Sequence, residues 1–452
     1  MTGRILIAGA GPAGLGAAWR LQELGYPDWL LLEGAGHPGG LAASFVDARG
    51  FTWDIGGHVV FSHCAYFDAV LDSLFAPGEW TFHEREAWIH MRGRLLPYPF
   101  QHNLWRLPKA EVADCLAGLI EARLRPAAAP RDFAAYLLAR FGAGLCRSFL
   151  FAYNGKVWGY PPARLGCDWV KERVAEIDLE RVVRNTILER DDPDWGPNRS
   201  LRYPLRGGTG GLWTRCAERL PQERLRFNAP VGAIDSGARL VRTRDGVEHR
   251  YDALISTVPL PALCGLAGLP GPGEQNLLST VTHAIGIGLA GAPPPELPRA
   301  NWIYFPEPDC PFYRVTLLSN YSPHVVPDPS RHWSLLCEVS ESKLQPVDAG
   351  RLVSATVKGL VATGMIRSSA DVISTWHHRA APGYPVPSCG RDAVLDRITP
   401  VLEARGIYSR GRHGAWKYEV GNQDHSFMQG VEAVDRILLG KPESVLDGTR
   451  VR

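Results

Sequence analysis

The stretch RILIAGAGPAGLGAAWRLQELGYPDWLLLE, Arg4 to Glu33, decides the fold. Its pattern predicts a buried strand at Arg4–Ala8 and a tight turn at Gly9–Gly14. A helix at Leu15–Leu24 and a second strand at Trp29–Leu32 are predicted to follow. A strand–helix–strand unit of about 30 residues is typical of dinucleotide-binding domains. We therefore predict an α/β fold that opens with a Rossmann-like module.

Three glycines in the turn carry the chemistry expected of a phosphate site. Gly9 allows the turn, Gly11 lets backbone approach a pyrophosphate, and Gly14 lets the helix pack on the strand. Glu33 follows 19 residues after the last glycine, where a carboxylate can accept hydrogen bonds from ribose hydroxyls. The combination predicts a dinucleotide site rather than a glycine-rich turn without function.

A second glycine pair distinguishes between two cofactors that use this pattern. Gly39, Gly40 and Leu41 follow Glu33 in HPGGLAAS, as suits flavin proteins, in which a longer loop wraps the ribityl chain. Glu33 itself favours an unphosphorylated ribose. FAD is therefore predicted ahead of NAD.

Composition restricts the classes of function. The 452 residues are 45% hydrophobic and 21% charged with a net charge of +2, which predicts a globular protein without a nucleic-acid or membrane partner. Nine scattered cysteines, with no CxxC pair, favour reduced thiols and a cytoplasmic location over a disulfide framework or zinc site. No apolar run reaches the ~18 residues of a membrane span.

Arginines inside apolar, aromatic segments form a second signal: Arg173, Arg314 and Arg412. A buried arginine is costly unless it is paired with an anion, and a structural ion pair with Asp or Glu is one explanation. A phosphate site is the other, because phenols together with guanidinium groups can grip a pyrophosphate. Tyrosines in similar segments are Tyr304, Tyr313, Tyr321, Tyr384 and Tyr418. The residues alone leave both explanations open.

The segment Asp54–His63, DIGGHVVFSH, places two glycines before His58 and ends at a second histidine. A metal or acid/base pair is one interpretation, and backbone lying against a flat or phosphorylated ligand is another. The sequence contains no HExxH or GxSxG motif and no Walker lysine. The adjacent pair His377–His378 would point to opposite faces of a strand. No metal site is predicted.

Blocks along the whole chain resemble the UDP-galactopyranose mutase family, in its eukaryotic type. They include DIGGHVVFSHCAYFD, YNGKVWGYPP, ERVAEIDL, WIYFPEPDCPFYR, GYPVP and RHGAWKYEVGNQDHSFMQGVEAVD. The last block is long and rich in polar residues, and is therefore far more specific than the glycine pattern. The chain departs from the family at Gly155, Lys417 and Trp376, which leaves room for a related nucleotide sugar as substrate.

The resemblance implies a Rossmann-like FAD-binding domain with an inserted helical bundle and an antiparallel β-sheet domain. The FAD-binding domain is expected to comprise residues 1–84, 200–281 and 386–452. The helical bundle is expected at 105–193, and the β-sheet domain at 85–104, 194–199 and 282–385.

The implied activity interconverts UDP-galactopyranose and UDP-galactofuranose without net redox change. N5 of reduced FAD is the expected nucleophile at the anomeric carbon, UDP is the leaving group, and NADPH or NADH is the expected reductant. The alternatives are a mutase acting on a related nucleotide sugar and an oxidoreductase of the flavin amine oxidase or desaturase type. Whether the protein forms a homo-oligomer stays open.

The resemblance also assigns roles to individual residues. The expected catalytic residues are Arg173, Arg314 and His58. The expected substrate-binding residues are Tyr98, Phe100, Gln101, Asn154, Trp158, Asn198, Trp302, Tyr304, Tyr321, Tyr384, Arg412, Tyr418, Phe61 and His63. The expected FAD-binding residues are Gly9, Gly11, Gly14, Glu33, Gly39, Gly40, Leu41, Gly57, His58, Val231, Arg412, Asn422, Gln423 and Ser426. The carbonyl of His58 is expected to accept a hydrogen bond from reduced flavin, so that its loop shifts with redox state.

Overall fold

The structure, a computed structural model, describes residues 3–124, 129–170, 173–174, 177–193, 199–271, 273 and 277–447. Within these ranges the strands are β1 (Ile5–Ala8), β2 (Trp29–Leu32), β3 (Ser44–Val46), β4 (Thr52–Asp54), β5 (Trp80–Glu84), β6 (Ala87–Met91), β7 (Arg94–Pro97), β8 (Ser200–Pro204), β9 (Leu225–Arg226), β10 (Val231–Asp235), β11 (Leu240–Thr243), β12 (Glu248–Arg250), β13 (Ala253–Ser256), β14 (Ser279–Ala290), β15 (Trp302–Tyr304), β16 (Arg314–Thr316), β17 (His332–Glu341), β18 (Val372–Pro385) and β19 (Ile407–Ser409). The α-helices there are α1 (Pro12–Glu23), α2 (Ala65–Leu74), α3 (Lys109–Leu124), α4 (Phe133–Leu145), α5 (Phe151–Trp158), α6 (Leu179–Ile187), α7 (Gly210–Glu218), α8 (Leu260–Leu266), α9 (Leu352–Ala362), α10 (Arg391–Glu403), α11 (Gly411–Gly414) and α12 (Gln423–Leu439).

A parallel sheet in the order β19-β13-β1-β2-β9 carries the predicted Rossmann-like unit. Helix α1 begins at Pro12, three residues before the predicted start at Leu15. The reason is that Gly11 forms an extended N-cap, and Pro12 occupies the first helical position, where a missing N–H costs nothing. The α/β prediction is confirmed, and the predicted start of the helix is wrong.

Helices α1 and α12 cross at glycines. A Cβ atom on Gly16 would stand 2.2 Å from the carbonyl oxygen of Phe427, and one on Gly430 would stand 1.9 Å from that of Ala13. Only glycine permits this approach, because any side chain would overlap the opposing backbone. The first helix is thereby packed against the last.

The second large sheet has the order β18-β14-β17-β16-β15-β6-β7. Its neighbouring strands are antiparallel except for β15 and β6, which run parallel. Gly286 and Gly288 leave room on one face for the rings of Trp53 and Phe51, which are completely buried. The sheet places Arg314 of β16 opposite Glu338 of β17.

Helices α3 to α6 lie within the range predicted for the helical bundle. Their buried core includes Leu119, Leu137 and Phe141, and α3 approaches α4 closely beside Gly118 and Gly142. The structure does not test the predicted domain boundaries, which stay predictions.

Candidate active site

A cavity of about 360 Å³ lies between the helical segment and the antiparallel sheet, and residues from 57–61 and 412–424 also line it. Its volume is within the range of small-molecule sites. The predicted substrate and catalytic residues that line it are Arg173, Arg314, His58, Tyr98, Gln101, Asn154, Trp158, Trp302, Tyr304, Tyr384, Arg412, Tyr418 and Phe61. Asn198 lies outside the described residues. Residues far apart in sequence thus converge on one cavity.

Three predicted substrate residues do not line the cavity. Phe100 is completely buried and stacks on Phe149, 4.7 Å between ring centroids, and it is Phe149 that reaches the cavity. Tyr321 is also completely buried, and its hydroxyl has no hydrogen-bond partner among the described residues. His63 lies beside Asp424. Direct substrate contact by these three residues stays a prediction.

Arg314 is held by the buried carboxylate of Glu338. Its Nε donates to Oε2, and its Nη2 donates to Oε1 at 2.8 Å. Burial alone would raise the pKa of Glu338, but the charge and hydrogen bonds of Arg314 bring it below its usual value. The structural ion pair that the sequence left open is therefore present, and Arg314 lines the cavity as well.

Arg173 is bound by neutral groups. Its Nη1 donates to Oδ1 of Asn422 at 3.2 Å, and its Nη2 donates to the carbonyl oxygen of Glu419 at 2.5 Å. The guanidinium also lies 5.4 Å from the ring centroid of Tyr418. Among the described residues no carboxylate pairs with Arg173, and its side chain lines the cavity.

Arg412 is held in a similar way. Its Nε donates to the carbonyl oxygen of Gly421 at 2.9 Å, and its guanidinium lies 5.2 Å from the ring centroid of Tyr384. Within the described ranges it has no carboxylate partner. Besides Arg85, the cavity is therefore lined by Arg173 and Arg412, whose partners among the described residues are neutral, and by Arg314, which is paired with a carboxylate.

Tyrosine side chains line the cavity together with these arginines. Tyr98 and Tyr153 lie 5.1 and 5.2 Å from Tyr304, measured between ring centroids. Burial raises the pKa of each of the three phenols. They therefore keep their protons at neutral pH and can act as hydrogen-bond donors.

His58 is neutral in this environment. Burial and then the charge of Arg412 lower its pKa to about 4, and its buried Nδ1 meets no hydrogen-bond partner in the part of the chain that the structure describes. The hydroxyl of Thr209 donates to the His58 carbonyl at 3.3 Å. Such a histidine is a poor proton donor at neutral pH, so its contribution rests on its backbone and its neutral ring.

A cluster of possible metal ligands lies beside the cavity. The ligand atoms of His63, Asp424 and His425 lie within 4.8 Å of one another. The carboxylate of Asp424 is 1% exposed, accepts the backbone N–H of His63 at 3.3 Å, and lies 3.5 Å from His63 Nδ1. These contacts engage Oδ2 of Asp424, whereas its Oδ1 is buried without a hydrogen-bond partner among the described residues.

The glycine turn forms a cradle with open space above it. A Cβ atom on Gly11 would meet nothing closer than 3.9 Å, the nearest atom being the carbonyl oxygen of Gly39. Gly9 and Gly40 have φ angles of 109° and 52°, which favour glycine. A Cβ on Gly14 would lie 1.8 Å from the Gly9 oxygen and 3.4 Å from Cγ2 of Ile7 on β1, so the helix packs closely on the turn and on the strand before it.

Glu33 organises the end of this cradle. Its Oε2 accepts the N–H of Ala10 at 2.5 Å, and its Oε1 accepts that of Ala35 at 2.7 Å. The backbone carbonyl of Glu33 accepts the N–H of Ala229, two residues before Val231. The predicted ribose and adenine residues thus lie at the same end of the parallel sheet.

The remaining predicted cofactor residues approach from two directions. Asn422 and Gln423 line the cavity at the start of α12, and Ser426 is buried in the first turn of that helix. Leu41 packs against the small buried cluster of Ala43, Ile55 and Ala380. These segments face the cradle and the cavity together.

Comparisons with known proteins identify the family. The family model of flavin-containing amine oxidoreductases matches residues 12–280. The crystal structure of reduced UDP-galactopyranose mutase is 46% identical, with a TM-score of 0.95, and the match covers 99% of this chain and 97% of that chain. The chain belongs to the UDP-galactopyranose mutase family.

Other solved structures share the fold alone. A candidate protoporphyrinogen oxidase from Exiguobacterium sp. 255-15 is 18% identical, with a TM-score of 0.72 over 97% of this chain and 99% of that one. The cyclohexylamine oxidase from Brevibacterium oxydans IH-35A is 14% identical, with a TM-score of 0.64 over 99% of both chains. The mutase family thus belongs to the fold of the flavin amine oxidases.

Because the chain belongs to the mutase family, the prediction that it is a flavoprotein is confirmed. The same membership supports FAD as the cofactor and an isomerase as the enzyme class. The residues present fit that cofactor. The open face above Gly11 gives a diphosphate room to approach backbone, and the buried, unpartnered Nδ1 of His58 is a polar atom that no described residue satisfies. No helix in the described part of the chain is long and apolar enough to cross a membrane.

Sequence reasoning missed several residues that line the mutase cavity, among them Phe149, Tyr153, Val157 and Asp424. The first three are spaced by four residues across the start of α5, and the rings of Phe149 and Tyr153 stack 5.0 Å apart. That helical spacing was visible in the sequence and would have predicted a shared face. Asp424 carried no comparable signal.

Proposed function

We propose that the protein interconverts UDP-galactopyranose and UDP-galactofuranose, using reduced FAD and leaving the flavin's redox state unchanged overall. The observation that carries this proposal is the convergence of Arg173, Arg314 and Arg412 with tyrosine hydroxyls on one cavity beside His58. When bound and reduced, the flavin supplies the nucleophile for the anomeric carbon. All other tasks fall to the side chains of this chain.

Departure of UDP is the step for which the arginines are suited. The charge of Arg173, unneutralised among the described residues, would stabilise negative charge on the leaving diphosphate, and Arg314 would add a fixed donor. Tyr304, Tyr384 and Tyr418 line the same cavity and would donate hydrogen bonds to the diphosphate. Preorganised donors of this kind act strongly in a water-poor site.

The helical side of the cavity is suited to binding the nucleoside. Gln101 and Asn154 offer amide groups there, and Phe149 and Tyr153 offer stacked rings beside Tyr98. Aromatic rings and amides together suit a planar, hydrogen-bonding base. Phe61 and Trp302 would bound the sugar on the opposite side.

Retention of the cofactor would rely on the cradle and on the start of α12. The residues proposed to hold FAD are Gly9, Gly11, Gly14, Glu33, Gly39, Gly40, Leu41, Gly57, His58, Val231, Arg412, Asn422, Gln423 and Ser426. NADPH or NADH is the proposed reductant. A cytoplasmic location belongs to the proposal and is supported by nine cysteines that are all free thiols.

The test compares reduced and oxidised holoenzyme. Purified protein with dithionite and UDP-galactofuranose should form UDP-galactopyranose, detected by chromatography, and the oxidised protein should not. A panel of UDP- and GDP-sugars tests the related-substrate alternative. Oxygen-dependent turnover of an amine, without sugar interconversion, would support the amine-oxidase alternative and overturn the mutase.

A further inference from the structure

Glu338 contacts two parts of the active site, Arg314 and the Gly56–His58 loop, for which the sequence indicated no connection. Its side chain is 1% exposed, on β17 directly opposite Arg314. One oxygen accepts Nη2 of Arg314 at 2.8 Å and also the hydroxyl of Tyr313 at 3.3 Å. The other oxygen accepts Nε of Arg314. This two-point geometry restricts the guanidinium to one plane.

The same carboxylate touches the loop that carries His58. A Cβ atom on Gly56 would lie 3.0 Å from Oε1 of Glu338, and Gly56 has a φ of 112°. A hydrogen bond from the backbone N–H of Gly57 helps to hold the pKa of Glu338 below its usual value, after the larger effect of Arg314. The loop therefore rests against the ion pair.

Pairing with Glu338 leaves Arg314 one free donor nitrogen. Nε and Nη2 are used, and Nη1 makes no hydrogen bond with the described residues, although Arg314 lines the cavity. A ligand would therefore meet Nη1 in a direction that the carboxylate fixes. Movement of Glu338 would change this direction and the position of the glycine loop together.

We propose that Glu338 is a positioning residue that holds Arg314 and the Gly56–His58 loop in one relative geometry. The role of Glu338 in turnover rests on the proposed function. Through Arg314 it would orient a donor toward the diphosphate, and through the loop it would fix the backbone beside the flavin. Its effect on catalysis is then indirect.

The principal test substitutes Glu338→Gln in the holoenzyme, with Glu341→Gln as the matched control. Glu341 lies on the same strand, pairs with His283 and Arg379, and does not line the cavity. Glu338→Gln should lower kcat by about 10- to 100-fold, as a misplacement near 1 Å can, with KM changing less. Glu338→Asp, which keeps the charge, should recover part of the loss. Glu341→Gln should retain the wild-type kcat per bound flavin.

Two readouts separate this assignment from the proposed function. Failure of reduced wild-type holoenzyme to interconvert the UDP-sugars overturns the proposed function alone. UDP affinity by calorimetry and the visible spectrum of the bound flavin need no turnover, and both should change in Glu338→Gln. If neither changes in that variant, the assignment of Glu338 is overturned.

A double-mutant cycle tests whether Glu338 acts through Arg314. In the Arg314→Ala background, Glu338→Gln should cause no further loss of UDP affinity, because its partner is already gone. Additive losses would refute the coupling. Lower thermal stability with unchanged UDP affinity and spectrum would assign Glu338 a structural role only, which also overturns the proposal.

Discussion

Gly57 lies so close to Thr316 that we expect Gly57→Ala to lower the activity. A Cβ atom at position 57 would lie 2.2 Å from Oγ1 of Thr316 and 3.3 Å from its Cβ. Ordinary contact begins near 3.4 Å, so Gly57→Ala requires a displacement of about 1 Å, and a misplacement of that size can lower kcat by about 10²-fold. The measurement is kcat of the reduced holoenzyme with UDP-galactofuranose, per bound flavin.

Two second-site variants identify the cause of that loss. Thr316→Ala removes Oγ1, a buried atom that no described residue hydrogen-bonds, and should restore most of the activity of Gly57→Ala. Thr316→Val keeps an atom at the same place and should not restore it. Wild-type activity in Gly57→Ala, or equal rescue by alanine and valine at position 316, would refute the steric argument.

Three further predictions concern charge, pH and packing. Arg173→Ala should lower kcat by about 10²- to 10³-fold, the cost of one lost transition-state donor, and unchanged kcat in steady-state assays would contradict its role. Burial lowers the pKa of His58 to about 4 and that of His413 to about 3, so both histidines take up protons more readily in the unfolded chain. The folded state should therefore lose stability as pH falls below ~6.5, and Tm should drop. His58→Gln should lessen that drop. Gly430→Ala should destabilise the protein by about 3 kcal/mol or prevent folding. Gly265→Ala, in helix α8 with nothing within 4 Å, should leave the denaturant midpoint unchanged or raise it, because alanine favours a helix by up to about 1 kcal/mol over glycine.

The sequence predicted those parts of the fold that depend on local patterns. The glycine spacing and the acidic residue at Glu33 sufficed for the dinucleotide unit, because each has a fixed place in a strand–turn–helix. The start of α1 was wrong because Pro12 is as acceptable in a first helical turn as in a loop.

The site was harder to predict, because partners distant in sequence decide what each residue does. Arg314 and Glu338 meet across two strands, so the sequence left open whether the arginine binds a protein carboxylate or a ligand. Phe100 was expected at the nucleoside, but its ring stacks behind Phe149, one layer from the cavity. Those distinctions depend on tertiary packing, which no local pattern encodes.

The glycine crossing of α1 and α12 has a consequence for biosynthesis. Gly16 and Gly430 are 414 positions apart, and β19, at the edge of the parallel sheet, also comes late in the chain. At ordinary translation rates the ribosome needs ~20–80 s to make the intervening residues. During that time helix α1 lacks α12, so the face that α12 later covers is accessible to chaperones. Completion of the cofactor-binding unit must therefore follow release of the C-terminal helix from the ribosome.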